Sequence, residues 1–172
     1  MSRNAVAFWA LFALTLGVYL TMLLWSLPQL QGMAGGLPAF DLRPMGYTPT
    51  EARALLAALG PTGADFYLNV QLWIDTVYPG LMAAVLIFAY AKLARGAWVW
   101  VFSALAVVAA SCDYLENLAV AGMLRAGPEA VSDAMIMAAS GWSLWKSAIS
   151  TVAFTALLAL LLRAGWHRLR RR

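Results

Sequence analysis

Residues 97–124 read AWVWVFSALAVVAASCDYLENLAVAGML. The stretch is longer and more apolar than the roughly 20 residues that an α-helix needs to cross a bilayer. Asp113, Glu116 and Asn117 interrupt it, and their spacing of three and four residues puts them on one face of that helix. A charged side chain in hydrocarbon costs from about 3 to above 10 kcal/mol, so it persists mainly where it is paired or functional. The stretch therefore predicts a membrane helix bundle and marks where function is to be sought.

The composition predicts the same class of protein. Of 172 residues, 63% are hydrophobic and only 12% are charged, and the mean hydropathy is +0.73. Such values lie outside the soluble range and predict an integral membrane protein with a single domain over residues 1–172. Cys112 is the only cysteine and His167, in the basic tail, is the only histidine. We therefore expect no intrachain disulfide, no cysteine or histidine metal site and no cofactor.

Four stretches are long and apolar enough to span a membrane. They predict an all-α fold, a four-transmembrane-helix bundle. The first stretch exceeds the core of about 7 to 15 apolar residues of a usual secretory signal, so we expect an uncleaved anchor. The expected spans are approximately residues 5–27, 66–93, 97–124 and 134–162.

The basic residues indicate the orientation of these spans. The net charge of +4 is not arranged as a nucleic-acid-binding patch, and we expect no nucleic-acid partner. Because lysines and arginines collect in cytoplasmic loops, both termini are expected in the cytoplasm. The cytoplasmic segments then hold Arg3, Lys92, Arg95, Arg163, Arg168, Arg170, Arg171 and Arg172, against Arg43, Arg53 and Arg125 outside.

The outer loop, residues 28–65, contains a further helix signal. Thr48 with Glu51 three residues later forms a capping box, and a proline stands at the first helical position. A short amphipathic helix over residues 49–59 should follow and stop at Gly60. It is expected either to lie on the outer membrane surface or to cover the mouth of the bundle. Its apolar face consists of Ala52, Leu55, Leu56 and Leu59.

The second span carries polar groups on one arc. Gln71, Asp75, Tyr78 and Pro79 share it, because residues three and four apart stack on one helical face. Pro79 has no N–H and leaves the backbone carbonyl of Asp75 without its helical partner. We therefore expect a kink and an oxygen-rich spot at this turn.

The third and fourth spans bring further charges to the same level. Two neighbouring carboxylates, Asp113 and Glu116, disfavour each other's ionisation, so one should hold a proton or meet a cation. Lys146 in the fourth span is the available cation. Counted from the outer ends at about 1.5 Å per residue, these groups and Asp75 lie roughly 10 to 18 Å deep. Lys146 is therefore predicted to lie within reach of Asp113 or Glu116.

Small residues indicate how the helices pack. Ala106, Ala109 and Ala110 permit close helix approach on the cytoplasmic side, so the bundle should be tight inside and more open outside. Serines and threonines at intervals of four in the fourth span are first a packing ladder. They are Ser143, Ser147, Thr151 and Thr155.

Two interpretations of the polar set remain open. In one, Lys146 neutralises an acid and the set is a structural clasp. In the other, three carboxylates exceed one lysine, so the set lines a pocket in the outer half of the bilayer. The candidate ligand-binding residues are Gln71, Asp75, Tyr78, Asp113, Glu116, Asn117 and Lys146.

A resemblance supports the architecture. The segments FDLRPMGYTPTEARALLAALGPTGADFY (residues 40–67) and DYLENLAVAGML (residues 113–124), with Asp75, Pro79 and Lys146, resemble a family of small bacterial four-helix integral membrane proteins. The resemblance implies a location in a bacterial inner membrane. That family has no established activity, so the resemblance implies no substrate. Acids lining a small helical bundle are also similar to the architecture of sterol-isomerase-type proteins, whose motifs are not matched.

Three functions are compatible with these features. The first is a bundle that binds or acts on a lipid-like or small amphipathic ligand, with membrane lipids as its surroundings; an enzyme of this kind would use acid–base chemistry. The second is a small proton-coupled transporter working as a homodimer. The third is a structural or assembly protein without a ligand. An all-oxygen magnesium or calcium site is disfavoured by the lysine at the same level.

Overall fold

The computed structural model describes residues 2–170 and is all-α. Four helical segments in it are long and apolar enough to cross a membrane: Arg3–Met33, Pro49–Leu93, Ala97–Ala130 and Asp133–Leu169. They extend beyond the predicted spans, mostly by one turn or more at an end. The α-helices within them are α1 (Arg3–Thr21), α2 (Leu27–Met33), α3 (Pro49–Phe66), α4 (Leu72–Leu93), α5 (Ala97–Ala130) and α6 (Asp133–Leu169).

Two π-helical turns join consecutive helices. Met22–Ser26 links α1 to α2, and Tyr67–Gln71 links α3 to α4. A π turn inserts one residue into the helical ladder and is frequently found at functional sites. The two turns contact each other, so the irregular parts of both segments meet at one place.

Helix α3 starts where the sequence predicts. The Thr48 hydroxyl accepts from the backbone N–H of Glu51 at 3.3 Å, and the Glu51 carboxylate accepts from the backbone N–H of Thr48 at 2.7 Å. The predicted capping box is therefore present. The helix is interrupted at Gly60, whose φ of 58° favours glycine, but it resumes and runs to Phe66 instead of ending at Leu59.

The long helices pack in a simple order. Helix α5 lies between α4 and α6, and α1 packs along α4, whereas α4 and α6 contact each other sparsely. We call the end that carries the α5–α6 turn the loop end, because Arg53 of α3 bonds Asp133 there at 2.6 Å. The other end, the terminal end, carries the α4–α5 turn, where Arg163 donates to the Leu93 carbonyl at 3.2 Å.

The loop end contains the larger core. Residues 34–59, which we call the loop segment, fold onto the ends of α4, α5 and α6 and bury their aromatic side chains there. The expected opening at this end is therefore filled with packed side chains. The core here includes Phe40, Tyr47, Leu55, Leu59, Tyr67, Val120, Leu124 and Ile136.

Candidate functional site

Lys146 lies at the centre of a cluster of charged side chains. Its ammonium nitrogen is 2.7 Å from Asp113 Oδ1 and 2.8 Å from Glu116 Oε2. Glu116 is only 2% exposed and Asp113 is 7% exposed, so both carboxyls are removed from solvent. The prediction that Lys146 reaches Asp113 or Glu116 is confirmed, and it reaches both. The spacing of the two acids along α5 makes this possible, because residues three apart project on the same side.

Glu116 has a second partner on α6. Its Oε1 accepts a short hydrogen bond from the hydroxyl of Ser143, which lies one turn before Lys146. The same helix face therefore presents a hydroxyl and an ammonium to one carboxylate. Ser143 is 2% exposed and belongs to the cluster, although the sequence places it first in a packing ladder.

The loop segment closes this cluster from the loop end. The backbone N–H of Tyr47 donates to Ser140 Oγ at 2.9 Å, one turn before Ser143. The approach requires glycine at position 46, where φ is 78° and a Cβ would stand 2.5 Å from Ser140 Oγ. Burial raises the pKa of the Tyr47 hydroxyl, and the nearby Glu116 charge adds to this, so the phenol stays neutral.

Asp75 joins the cluster through its backbone. Asn117 Nδ2 donates to the Asp75 carbonyl at 3.5 Å, the carbonyl that Pro79 deprives of its helical donor. Helix α4 continues through Pro79. The Asp75 side chain is 4% exposed, and its Oδ2 has no hydrogen-bond partner among residues 2–170. Asn117 Oδ1 is likewise buried and without a partner in the described part of the chain.

A cavity of about 210 Å³ adjoins the Lys146–Asp113 pair on its terminal-end side. It lies between α4, α5 and α6, and the two charged side chains form part of its wall. Ala106, Ala109 and Ala110 line it, so these alanines border a gap as well as packed side chains: Ala106 is also part of the terminal-end core and is 1% exposed. The small side chains leave space here because their neighbours across the gap do not fill it. The other lining residues are Tyr78, Pro79, Met82, Ala83, Leu86, Ser147, Ser150 and Phe154.

A second cavity of about 200 Å³ lies next to the first, between α1, α4 and α6. Its lining is almost wholly apolar. The two cavities share the side chains of Tyr78, Met82, Leu86 and Phe154, which form the wall between them. Together they give a polar region at the ion pair and an apolar region beyond it.

The structure divides the seven predicted residues into three groups. Tyr78, Asp113 and Lys146 line the first cavity. Asp75, Glu116 and Asn117 lie behind this wall, toward the loop end. Glu116 pairs with Lys146, and Asn117 bonds the backbone of Asp75. Gln71 is the exception, because its hydrogen bonds run to the first helical segment and not to the cluster. Its Oε1 accepts from Ser26 Oγ at 2.6 Å, and its Nε2 donates to Met22 Sδ at 3.7 Å.

The cluster carries an excess of acid. Two carboxyl groups contact the one ammonium, and a third, that of Asp75, is buried without a cation in the described residues, so complete pairing requires a bound proton or a further cationic or hydrogen-bond-donating group. Within residues 2–170, no group of three or more histidine, cysteine or acidic side chains is placed to hold a metal ion. The carboxylate oxygens of the cluster are acceptors that suit a positively charged or hydrogen-bond-donating group.

No family model, curated protein or solved structure matches this chain.

Proposed function

We propose that the chain crosses a bacterial inner membrane four times, with both termini in the cytoplasm. Two observations support this. In the most apolar stretch of each long helical segment, only 11% to 33% of the residues are buried inside the protein, so most of the apolar side chains face outward. A soluble protein rarely exposes such a surface. The basic residues concentrate at the terminal end, as expected for the cytoplasmic side. A cysteine at Thr50 should react with an impermeant reagent in intact cells and one at Arg95 should not; the reverse pattern would contradict the orientation.

We propose that the protein binds a small amphipathic, lipid-like ligand with a cationic or hydrogen-bond-donating head group. The observation that carries this is the first cavity, in which the Lys146–Asp113 pair forms a polar wall and the remaining wall is mostly apolar. Ligand pockets commonly combine an apolar lining with a few convergent polar groups. The neighbouring apolar cavity gives the ligand's hydrocarbon part a place beyond Tyr78 and Met82.

The charge of the site sets the preference for the head group. Lys146 already has two acidic partners, so it offers little to an anionic ligand. Asp113 is the acidic side chain in the cavity wall. A carboxylate only accepts hydrogen bonds, so it favours a head group that is positively charged or carries a donor. The sparse contact between α4 and α6 would let such a ligand enter from the lipid.

The test is to fill the cavity without touching any charge. Ala110 lines the cavity, and Ala104, two turns nearer the terminal end of the same helix, is exposed. The native chain and the Ala104→Leu control, purified in mild detergent, should retain the same small molecule in mass spectrometry. Ala110→Leu should fold and lose it. Equal retention by Ala110→Leu and the control would show that the cavity is not the binding site.

A structural clasp is the second candidate, and the ion-pair geometry favours it. Two contacts join α6 to α5: Lys146 pairs with Asp113, and Ser143 bonds Glu116. Asn117 joins α5 to α4 by bonding the Asp75 carbonyl, so the three helices are fixed against one another. On this alternative the cavity is only a packing gap. Ala110→Leu would then keep any cellular phenotype of the native protein, and no small molecule would co-purify with either chain.

A further inference from the structure

The terminal end has a second polar feature that the proposed ligand site does not use. A cavity of about 410 Å³ lies between the α4–α5 turn and the last turns of α6. Basic side chains dominate its wall. The residues that line it are Lys92, Leu93, Arg95, Arg163, Ala164, His167 and Arg168.

Within residues 2–170, no acidic side chain forms an ion pair with these basic residues. The acidic residues of the chain are Asp41, Glu51, Asp65, Asp75, Asp113, Glu116, Glu129 and Asp133. All of them lie in the loop segment, in the cluster around Lys146, or near the loop-end starts and ends of helices. The ion pairs in residues 2–170 accordingly involve Arg53 and Lys146 alone. The basic cavity is therefore a site for an external anion.

An apolar groove continues from the basic cavity. A cavity of about 240 Å³ is lined by Trp98, Phe102 and Leu160 together with Arg95 and Arg163. The two arginines belong to both cavities, so the charged and apolar regions are continuous. The groove has a defined shape, because the Trp98 and Phe102 rings stack at 5.5 Å and Arg163 is held to the Leu93 carbonyl.

We infer that this surface binds the phosphodiester head group of an anionic phospholipid, with an acyl chain along the Trp98 groove. A soluble phosphate would need only the basic cavity, whereas a lipid uses both regions. Arginine forks bind phosphate oxygens in pairs, and basic pockets between helix ends on the cytoplasmic side bind anionic lipid head groups. The inference depends on the proposed membrane crossing, but not on the site around Lys146.

The experiment measures lipid binding to the full chain in detergent micelles by native mass spectrometry. Dioleoyl phosphatidylglycerol should bind more tightly than dioleoyl phosphatidylcholine. Arg95→Gln/Arg163→Gln should weaken phosphatidylglycerol binding about tenfold or more, since each basic residue contributes to attraction of anionic lipid. The control Arg43→Gln/Arg125→Gln removes the same charge at the loop end and should bind as the native chain does. Equal weakening in both pairs would overturn the site, because net charge alone would then explain binding.

Two further arms separate the lipid from a soluble phosphate and from a folding defect. Glycerol 3-phosphate should not displace the lipid, and Trp98→Ala should weaken lipid binding; displacement at concentrations equal to those of the lipid would overturn the lipid assignment. Arg163 also bonds the Leu93 carbonyl, so its replacement could disturb the turn. Lys92→Gln/Arg168→Gln avoids that bond and should weaken binding as well. Native-like binding by this folded variant would contradict the inference.

Discussion

Two buried polar clusters in this protein differ in how many of their polar atoms have a hydrogen-bond partner. At the π turns, Ser26 and Gln71 form a neutral pair at 2.6 Å that joins the first and second helical segments. Around Lys146, two carboxyls share one ammonium, and the neighbouring Asp75 keeps an oxygen without a partner in the described residues. The first cluster is fully paired and lies in the dense core of the loop end. The second adjoins a cavity.

The difference separates a structural polar pair from a candidate binding site. A buried polar group that is hydrogen-bonded can hold two helices in register and need do nothing else. A buried group left with unmet acceptors carries a standing cost, which a ligand or a proton can remove. Both clusters lie within apolar helices, so the presence of polar residues alone does not distinguish them. They are distinguished by whether each polar atom has a hydrogen-bond partner and by whether a cavity adjoins the cluster.

The largest expected effect follows from Lys146→Met. It leaves Asp113 and Glu116 buried beside each other without their cation, and removing one partner of a buried ion pair costs about 3–5 kcal/mol. We expect a large fall in the thermal unfolding temperature in detergent and loss of the co-purifying ligand. A stability within about 1 kcal/mol of the native chain would show that the ion pairs of Lys146 do not stabilise the fold, and the contrast between the clusters would then disappear.

A double variant provides the control for this change. Lys146→Met/Asp113→Asn removes both partners of one ion pair and should recover much of the stability, because loss of a whole pair is often tolerated. It should not recover ligand binding, since the polar wall of the cavity is gone. Recovery of both properties would favour the structural clasp.

Much of the fold and part of the site follow from sequence patterns. Apolar length predicts the four long helices, and the Thr48 and Glu51 side chains make their capping box without help from distant residues. The Lys146 contact is predictable because depth along a helix depends only on the rise per residue. These features depend on local geometry, which the sequence encodes directly.

The remaining features depend on which neighbour a side chain meets. Gln71 shares a face with Asp75, but it lies one turn nearer the loop end, where it meets Ser26. Helical spacing gives the direction in which a side chain projects from the helix axis, but not which neighbouring helix it contacts. Tyr47 reaches Ser140 from 93 positions away, through a turn that no local pattern specifies.

The cavity shows the same limit for packing. Alanines such as Ala106 and Ala109 allow two helices to approach closely, but they equally leave a gap when the facing side chains hold the helices apart. The sequence gives the size of each side chain and not the distance between the helix axes. The position of Ser143 does follow from the sequence, because it precedes Lys146 by three residues and shares its face of the helix.

The smaller expected effect concerns the neutral pair. Ser26→Ala removes the donor to Gln71 Oε1 and leaves that buried acceptor unsatisfied, which should cost about 1–3 kcal/mol of unfolding free energy. Ligand binding should be unchanged in the folded protein, because the cavity lining includes neither residue. Thermal unfolding and the mass of the co-purifying molecule, measured on the same preparation, check both statements.

The matching double variant completes the comparison. Ser26→Ala/Gln71→Met replaces both partners by apolar groups, which is often nearly neutral, so stability should return to within about 1 kcal/mol of the native value. Binding should persist, in contrast to the double variant at Lys146 and Asp113, which regains stability without binding. If Ser26→Ala alone abolished ligand retention while the protein stayed folded, the two clusters would be energetically coupled. The π turns would then belong to the binding site, because a pair that only holds helices in register has no means of selecting a ligand.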